Sequence, residues 1–135
     1  MSQNQDTKGL VLVVDDHPIN RLLMDAMLKK VGWTCVGAES AYQAMEVLVG
    51  GLRPDVIFMD IRMPDVDGFA ATKKIRQWEL DSSLERTPIV ALSADALEES
   101  KSRALNEGMD GYLTKPITLE RMRDALEKFA GAGGT

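Results

Sequence analysis

Four short apolar runs in this chain each stop abruptly on a polar group, and that pattern constrains the fold more than any other feature. Leu10-Val11-Leu12-Val13-Val14 ends in Asp15-Asp16, and Val56-Ile57-Phe58-Met59 ends in Asp60. Ile89-Val90-Ala91-Leu92 ends in Ser93, while Gly111-Tyr112-Leu113 leads through Thr114 into Lys115-Pro116. Short continuous runs rich in β-branched residues read as strands buried on both faces, as in parallel sheets. Helical patterns lie between them. Pro18 suits a first helical turn, with Ile19, Leu22, Leu23, Met27 and Val31 following at helical spacing before Gly32. A weaker strand spans Thr34 to Gly37. Ser40 then caps a helix carrying Ala41, Ala44, Met45, Leu48 and Val49.

Gly68 to about Glu79 reads as a helix through Phe69, Ala70, Thr72, Ile75 and Trp78. A polar loop from Asp81 to Pro88 follows. A charged helix runs from about Leu97 to Glu107, and a last one from about Leu119 to Phe129 with Thr118 as its N-cap. Five strands alternating with five helices predict an α/β fold, a doubly wound parallel sheet with both faces covered. Open sheets of this kind bind ligands at the carboxyl ends of their strands. Every polar group that closes an apolar run lies at such an end.

The 135 residues suit one domain, with 9–130 folded and 1–8 and 131–135 as linker or frayed ends. A net charge of −5 and no Lys/Arg-rich run argue against direct nucleic-acid binding. No apolar stretch approaches the roughly 18 residues of a membrane span, and the polar start lacks a signal-peptide core. Direct membrane contact is therefore not expected. The single Cys35 cannot form an internal disulfide and reads as a small packed hydrophobe, which fits the cytoplasm.

Three carboxylates, a hydroxyl and a lysine at neighbouring strand ends suit phosphoryl chemistry with a hard metal ion. Mg²⁺ takes oxygen ligands and keeps several waters, so Asp16 and Asp60 could bind directly, with Asp15 acting through a bound water. Mn²⁺ could substitute. A carboxylate can also be the nucleophile, forming an aspartyl-phosphate. Lys115 would place a point charge on the phosphoryl oxygens, and Ser93 would hydrogen-bond another of them.

The motifs Val13-Val14-Asp15-Asp16-His17-Pro18-Ile19-Asn20, Phe58-Met59-Asp60-Ile61-Arg62-Met63-Pro64-Asp65-Val66-Asp67-Gly68, Ala91-Leu92-Ser93-Ala94 and Tyr112-Leu113-Thr114-Lys115-Pro116 resemble the receiver domain of two-component response regulators. They run in family order, and the resemblance covers about Gly9 to Phe129. Met63-Pro64-Asp65 and the stretch from Asn106 to Thr118 look especially like receivers of hybrid sensor histidine kinases. The resemblance implies a flavodoxin-like sheet of order 2-1-3-4-5. It makes Asp60 the phosphoacceptor, fed by a partner's phosphohistidine on a sensor histidine kinase or a histidine phosphotransfer protein. It also makes Asp15, Asp16, Asp60 and the Arg62 backbone carbonyl the magnesium ligands.

By the same resemblance Ser93 is the switch hydroxyl, Tyr112 the switch aromatic, and Lys115-Pro116 a cis peptide. Arg62 and Asp95 flank the site as tuning residues, or else form a solvated surface pair. Phosphorylation would draw Ser93 inward, let Tyr112 rotate into the space, and alter the surface of the fourth helix, fifth strand and fifth helix. His17 is explained by its place at the start of the first helix. The methionines read as core gap-fillers. Such a domain phosphorylates and dephosphorylates itself without being a conventional enzyme, as a monomer or weak dimer.

Two rivals stand beside this reading. Haloacid-dehalogenase-type phosphatases also use an aspartyl-phosphate, but need two acids separated by one residue on the first strand; here the pair is adjacent. A receiver-like module that takes no phosphate would not need the intact acids, hydroxyl and lysine. The Met1 start fits a stand-alone protein, whereas the hybrid-type motifs fit a phosphorelay.

Overall fold

The computed structural model describes residues 8–63 and 66–130. Five parallel strands form one sheet: β1 (Leu10–Val14), β2 (Thr34–Ala38), β3 (Val56–Asp60), β4 (Ile89–Ser93) and β5 (Gly111–Thr114), in the order β2-β1-β3-β4-β5. Between and after them run α1 (Pro18–Lys30), α2 (Ala41–Val49), α3 (Gly68–Asp81), α4 (Glu98–Asn106) and α5 (Leu119–Phe129). Val14 pairs with Met59, Asp60 with Leu92, and Ser93 with Thr114, so the carboxyl ends of β1, β3, β4 and β5 meet at one rim.

Strand residues alternate between two apolar clusters, as a period of two requires. Leu12, Val14, Ile57, Met59, Ile89 and Ala91 point to one side, onto Ala44 and Leu48 of α2 and Ile75 of α3. Val11, Val13, Val56, Phe58, Val90 and Leu92 point to the other, onto Met24 and Leu28 of α1 and Met122 and Leu126 of α5. Trp33 and Cys35 pack on this second side. The thiol of Cys35 is pushed up to about 12, by burial first and by the charge of Asp25 second.

The caps follow the sequence reading. Ser40 Oγ accepts from the Gln43 N–H and Thr118 Oγ1 from that of Arg121. The first helix departs from it. Ile19, Leu22 and Leu23, expected on the buried stripe, are 60%, 68% and 56% exposed. Val31 is buried as expected, and Met24 and Leu28 are buried in place of the other three. Met24, Leu28 and Val31 share a stripe at i, i+4 and i+7, and one helix cannot turn both stripes to the sheet.

At the amino ends of β4 and β5 sits an ion cluster that sequence reading did not foresee. Arg76 donates to Gly108 O (2.9 Å), Thr87 O (2.8 Å), Glu79 Oε1 (2.9 Å) and Asp110 Oδ2 (2.8 Å). Glu79 Oε2 accepts from the Thr87 N–H, and Asp110 Oδ2 from that of Ile89. Arg86 closes on Asp110 Oδ1 at 2.9 Å. Together they tie α3 to the two loops that enter β4 and β5.

Candidate functional site

Asp15 follows directly on β1. Its N–H donates to Ala38 O (3.0 Å), and its own carbonyl accepts from Arg21 Nη1 (2.6 Å). One carboxylate oxygen, Oδ1, accepts from the His17 N–H at 2.9 Å. The other, Oδ2, is buried without a hydrogen-bond partner. Asp60 closes β3 and is also buried. Its Oδ1 accepts from the Arg62 N–H at 3.1 Å. Gly68, the first residue of α3, permits this crowding: a Cβ there would lie 2.5 Å from the Asp60 carbonyl oxygen.

Oxygens of Asp15, Asp16 and Asp60 lie within 4.8 Å of one another, Asp16 from the exposed side. Among the described residues, one cation faces them. Lys115 follows β5, where its N–H donates to Ser93 O (2.7 Å). Its Nζ stands 3.5 Å from Asp60 Oδ2 and 3.7 Å from Asp15 Oδ2. The Lys115-Pro116 peptide is cis, as the resemblance implied. Burial first, and the Asp15 charge second, hold the Asp60 carboxyl above the usual carboxylate range, against the pull of Lys115.

Three acids against one lysine leave a negative excess in a half-closed site. An unpartnered buried carboxylate oxygen is costly unless something fills its place. All-oxygen donors at this spacing suit a small divalent ion such as Mg²⁺. The residues present therefore fit the metal the sequence implied.

Ser93 is buried, and its Oγ accepts from the Asp95 N–H at 3.0 Å. Tyr112 packs against the core cluster of Leu12 and Ile57, and its hydroxyl donates to Asp95 O at 2.5 Å. Arg62 and Asp95 form no ion pair among the described residues; the Asp95 carboxylate instead accepts from the Leu97 N–H and the Ser100 hydroxyl. The side chain of His17 is exposed at the start of α1, and only its backbone N–H serves the site. Pro64 and Asp65, part of the motif after Asp60, lie outside the described residues.

Sequence reading missed Arg21, Ser100 and Arg103. Arg21 reaches back from the first turns of α1 to the Asp15 carbonyl, and Arg103 stacks 4.2 Å over the Phe69 ring. Arg21 and Ser100 act on residues only six and five positions away, but no motif marks those contacts, whereas Arg103 meets Phe69 only through the fold. No described helix is long and apolar enough to cross a membrane.

A family model for the response regulator receiver domain matches residues 11–127. Hybrid signal transduction histidine kinase A of Dictyostelium discoideum is 40% identical over 120 residues, covering 89% of this chain and 6% of the relative. Sensor histidine kinase RcsC of Escherichia coli (strain K12) is 38% identical over 130 residues, covering 96% of this chain and 13% of the relative. The chain thus spans only a small part of these curated relatives.

Among solved structures, the receiver domain of sensor histidine kinase PA1611 from Pseudomonas aeruginosa PAO1 carries magnesium in its active-site cleft. It matches with TM-score 0.77 and 33% identity, over 91% of this chain and 98% of that one. The co-crystal structure of the Saccharomyces cerevisiae histidine phosphotransfer protein Ypd1 with the receiver domain of Ssk1 matches with TM-score 0.86 and 28% identity, over 93% of this chain and 91% of that one. Fold, motif order and family match agree: the chain belongs to the response regulator receiver domain family of two-component signalling.

Proposed function

We propose that this receiver accepts a phosphoryl group on Asp60 from a partner's phosphohistidine in a Mg²⁺-dependent reaction. The observation that carries the reading is the acid cluster: three carboxylates within 4.8 Å, with the single Lys115 Nζ facing two of them. An Asp60 carboxylate oxygen attacks phosphorus, the new O–P bond forms, and the N–P bond breaks with its electron pair returning to the imidazole nitrogen. Lys115 offsets charge on the phosphoryl oxygens and Ser93 donates a hydrogen bond to one of them. Asp15, Asp16, Asp60 and the Arg62 carbonyl are the groups that would hold Mg²⁺. When bound, the ion neutralises charge that builds up on the transferring group. Arg21 and the His17 N–H keep Asp15 aimed into the site.

Phosphorylation then biases the Ser93–Tyr112 pair and with it the surface of α4, β5 and α5, as a shift between two packings. The exposed Ile19, Leu22 and Leu23 favour a phosphorelay partner at the acid pocket. Of these, Leu23 lines a groove of about 370 Å³ together with Asp15, Asn20, Lys115 and Pro116. An exposed apolar patch beside a reactive acid suits a helical, histidine-bearing protein such as a phosphotransfer domain. The cytoplasm is the compartment where such a relay would operate.

Intact mass after incubation with acetyl phosphate, with and without Mg²⁺, tests the chemistry. The parent gains one phosphoryl group only with Mg²⁺, and Asp60→Asn gains none. A folded, Mg²⁺-binding parent that gains nothing would move the protein to a phosphate-independent interaction module.

A further inference from the structure

Asp95 makes four hydrogen bonds that join three elements. Its N–H donates to Ser93 Oγ at the end of β4 (3.0 Å), and its carbonyl accepts from the Tyr112 hydroxyl on β5 (2.5 Å). Its carboxylate reaches α4: Oδ1 accepts from the Leu97 N–H (2.8 Å) and Oδ2 from the Ser100 hydroxyl (2.6 Å). The backbone of Asp95 thus touches both members of the switch pair, while its side chain is fastened to the first turn of the helix that follows. Leu97, at the N-cap position of α4, offers no capping side chain, so Asp95 supplies the acceptor from outside the helix.

Ser100 is the only side chain donating to the Asp95 carboxylate among the described residues. Of the neighbouring charges, Arg62 acts on this carboxylate only at a distance, without an ion pair, and those on α4 are engaged elsewhere. Lys101 pairs with Glu98, and Arg103 lies over Phe69 with Glu107 beside it. The bond is short and charge-assisted, the stronger class of hydrogen bond. Asp95 responds accordingly: the Ser100 hydroxyl first, and the Leu97 N–H second, hold its carboxyl below the usual range.

We propose that Ser100 is a positioning residue for the switch, its hydroxyl holding the Asp95 carboxylate and so fixing where the Asp95 backbone meets Tyr112 and Ser93. This inference rests on the reading of Ser93 and Tyr112 as the pair that responds to phosphoryl at Asp60. Without the hydroxyl, Oδ2 turns to water and Ala96 lies in a segment fastened by the Leu97 N–H alone. Tyr112 then leaves the Asp95 carbonyl more often, and the surface of α4 and β5 changes before any phosphoryl group arrives. Ser100 would therefore set the level of signalling at rest.

Fluorine NMR of the full chain labelled with fluorotyrosine reads this directly, because the chain has only two tyrosines and Tyr42, 75% exposed, is an internal reference. The comparison is made without magnesium or phosphate. In Ser100→Ala the Tyr112 resonance moves toward the exposed position of Tyr42, the released fraction rising about three- to tenfold for one lost hydrogen bond. Ser100→Thr keeps the hydroxyl and returns the resonance to the parent position. A Tyr112 resonance unmoved in Ser100→Ala, or displaced as far in Ser100→Thr, would overturn the proposal. Phosphoryl uptake by mass in the same proteins separates the two questions. Absence of uptake in the parent defeats the chemistry at Asp60, whereas the tyrosine comparison needs no phosphate.

Discussion

The two ends of the sheet both carry charge, and they settle it in opposite ways. At the amino ends of β4 and β5, two arginines meet two carboxylates at 2.8–2.9 Å, and the four oxygens of Glu79 and Asp110 all have donors. At the carboxyl ends, three carboxylates face one lysine at 3.5–3.7 Å, and Asp15 Oδ2 has no hydrogen-bond partner. The first cluster is complete without help. The second is short of positive charge, which is the condition that makes a site for a divalent ion and a phosphoryl group. The comparison teaches that balance, rather than burial or charge alone, separates an anchor from a reactive site.

Removing a partner from the balanced end has the largest expected effect. Arg76 is 13% exposed and bridges α3 to two loops, so Arg76→Ala leaves the buried Glu79 with no cation and Asp110 with the exposed Arg86 alone. Breaking a buried pair in this way costs about 3–5 kcal/mol. Chemical denaturation measures it, and a loss below about 1 kcal/mol would show that this end is not the anchor.

At the acid end the sign reverses. Asp60→Asn removes one of three crowded carboxylates within 4.8 Å, and in magnesium-free buffer near neutral pH stabilises the fold by roughly 1–3 kcal/mol. The pH dependence follows from the raised Asp60 carboxyl. Folded protein keeps a proton there that the unfolded chain gives up at the ordinary value of 3.8, so the folded state binds more protons between the two values. Stability in the parent therefore falls as pH rises from 3.8 through the raised value, and Asp60→Asn lacks that fall. A parent whose stability rises through this window by the Asp60-dependent part would break the contrast between the ends.

The sequence showed this second end far better than the first. Asp15, Asp16, Asp60, Ser93 and Lys115 each terminate an apolar run, so a periodicity of two and a fold rule place them on one rim. Arg76 and Asp110 stand 34 positions apart with no pattern joining them, and only the packing of α3 against the α4–β5 turn makes them neighbours. Ser100 and Arg21 lie only five and six positions from the groups they hold, but no motif marks those contacts. The phase of α1 failed differently: its apolar residues outnumber one stripe, and only the sheet chooses Met24 and Leu28 over Ile19 and Leu22.

Within the balanced end, Arg86 makes the finest test of the same idea. It contacts the same carboxylate as Arg76, with three hydrogen bonds to Asp110 and Gly108, yet its side chain is 55% exposed. Water can replace what it gives to Asp110 Oδ1, while Arg76 and the Ile89 N–H still hold Oδ2. Arg86→Ala should therefore cost only about 0.2–1 kcal/mol in the same denaturation experiment. A cost matching that of Arg76→Ala would mean that completing the charge balance matters more than excluding water from it. A cost within the expected range shows that the anchor is Arg76, the more deeply buried of the two guanidinium groups.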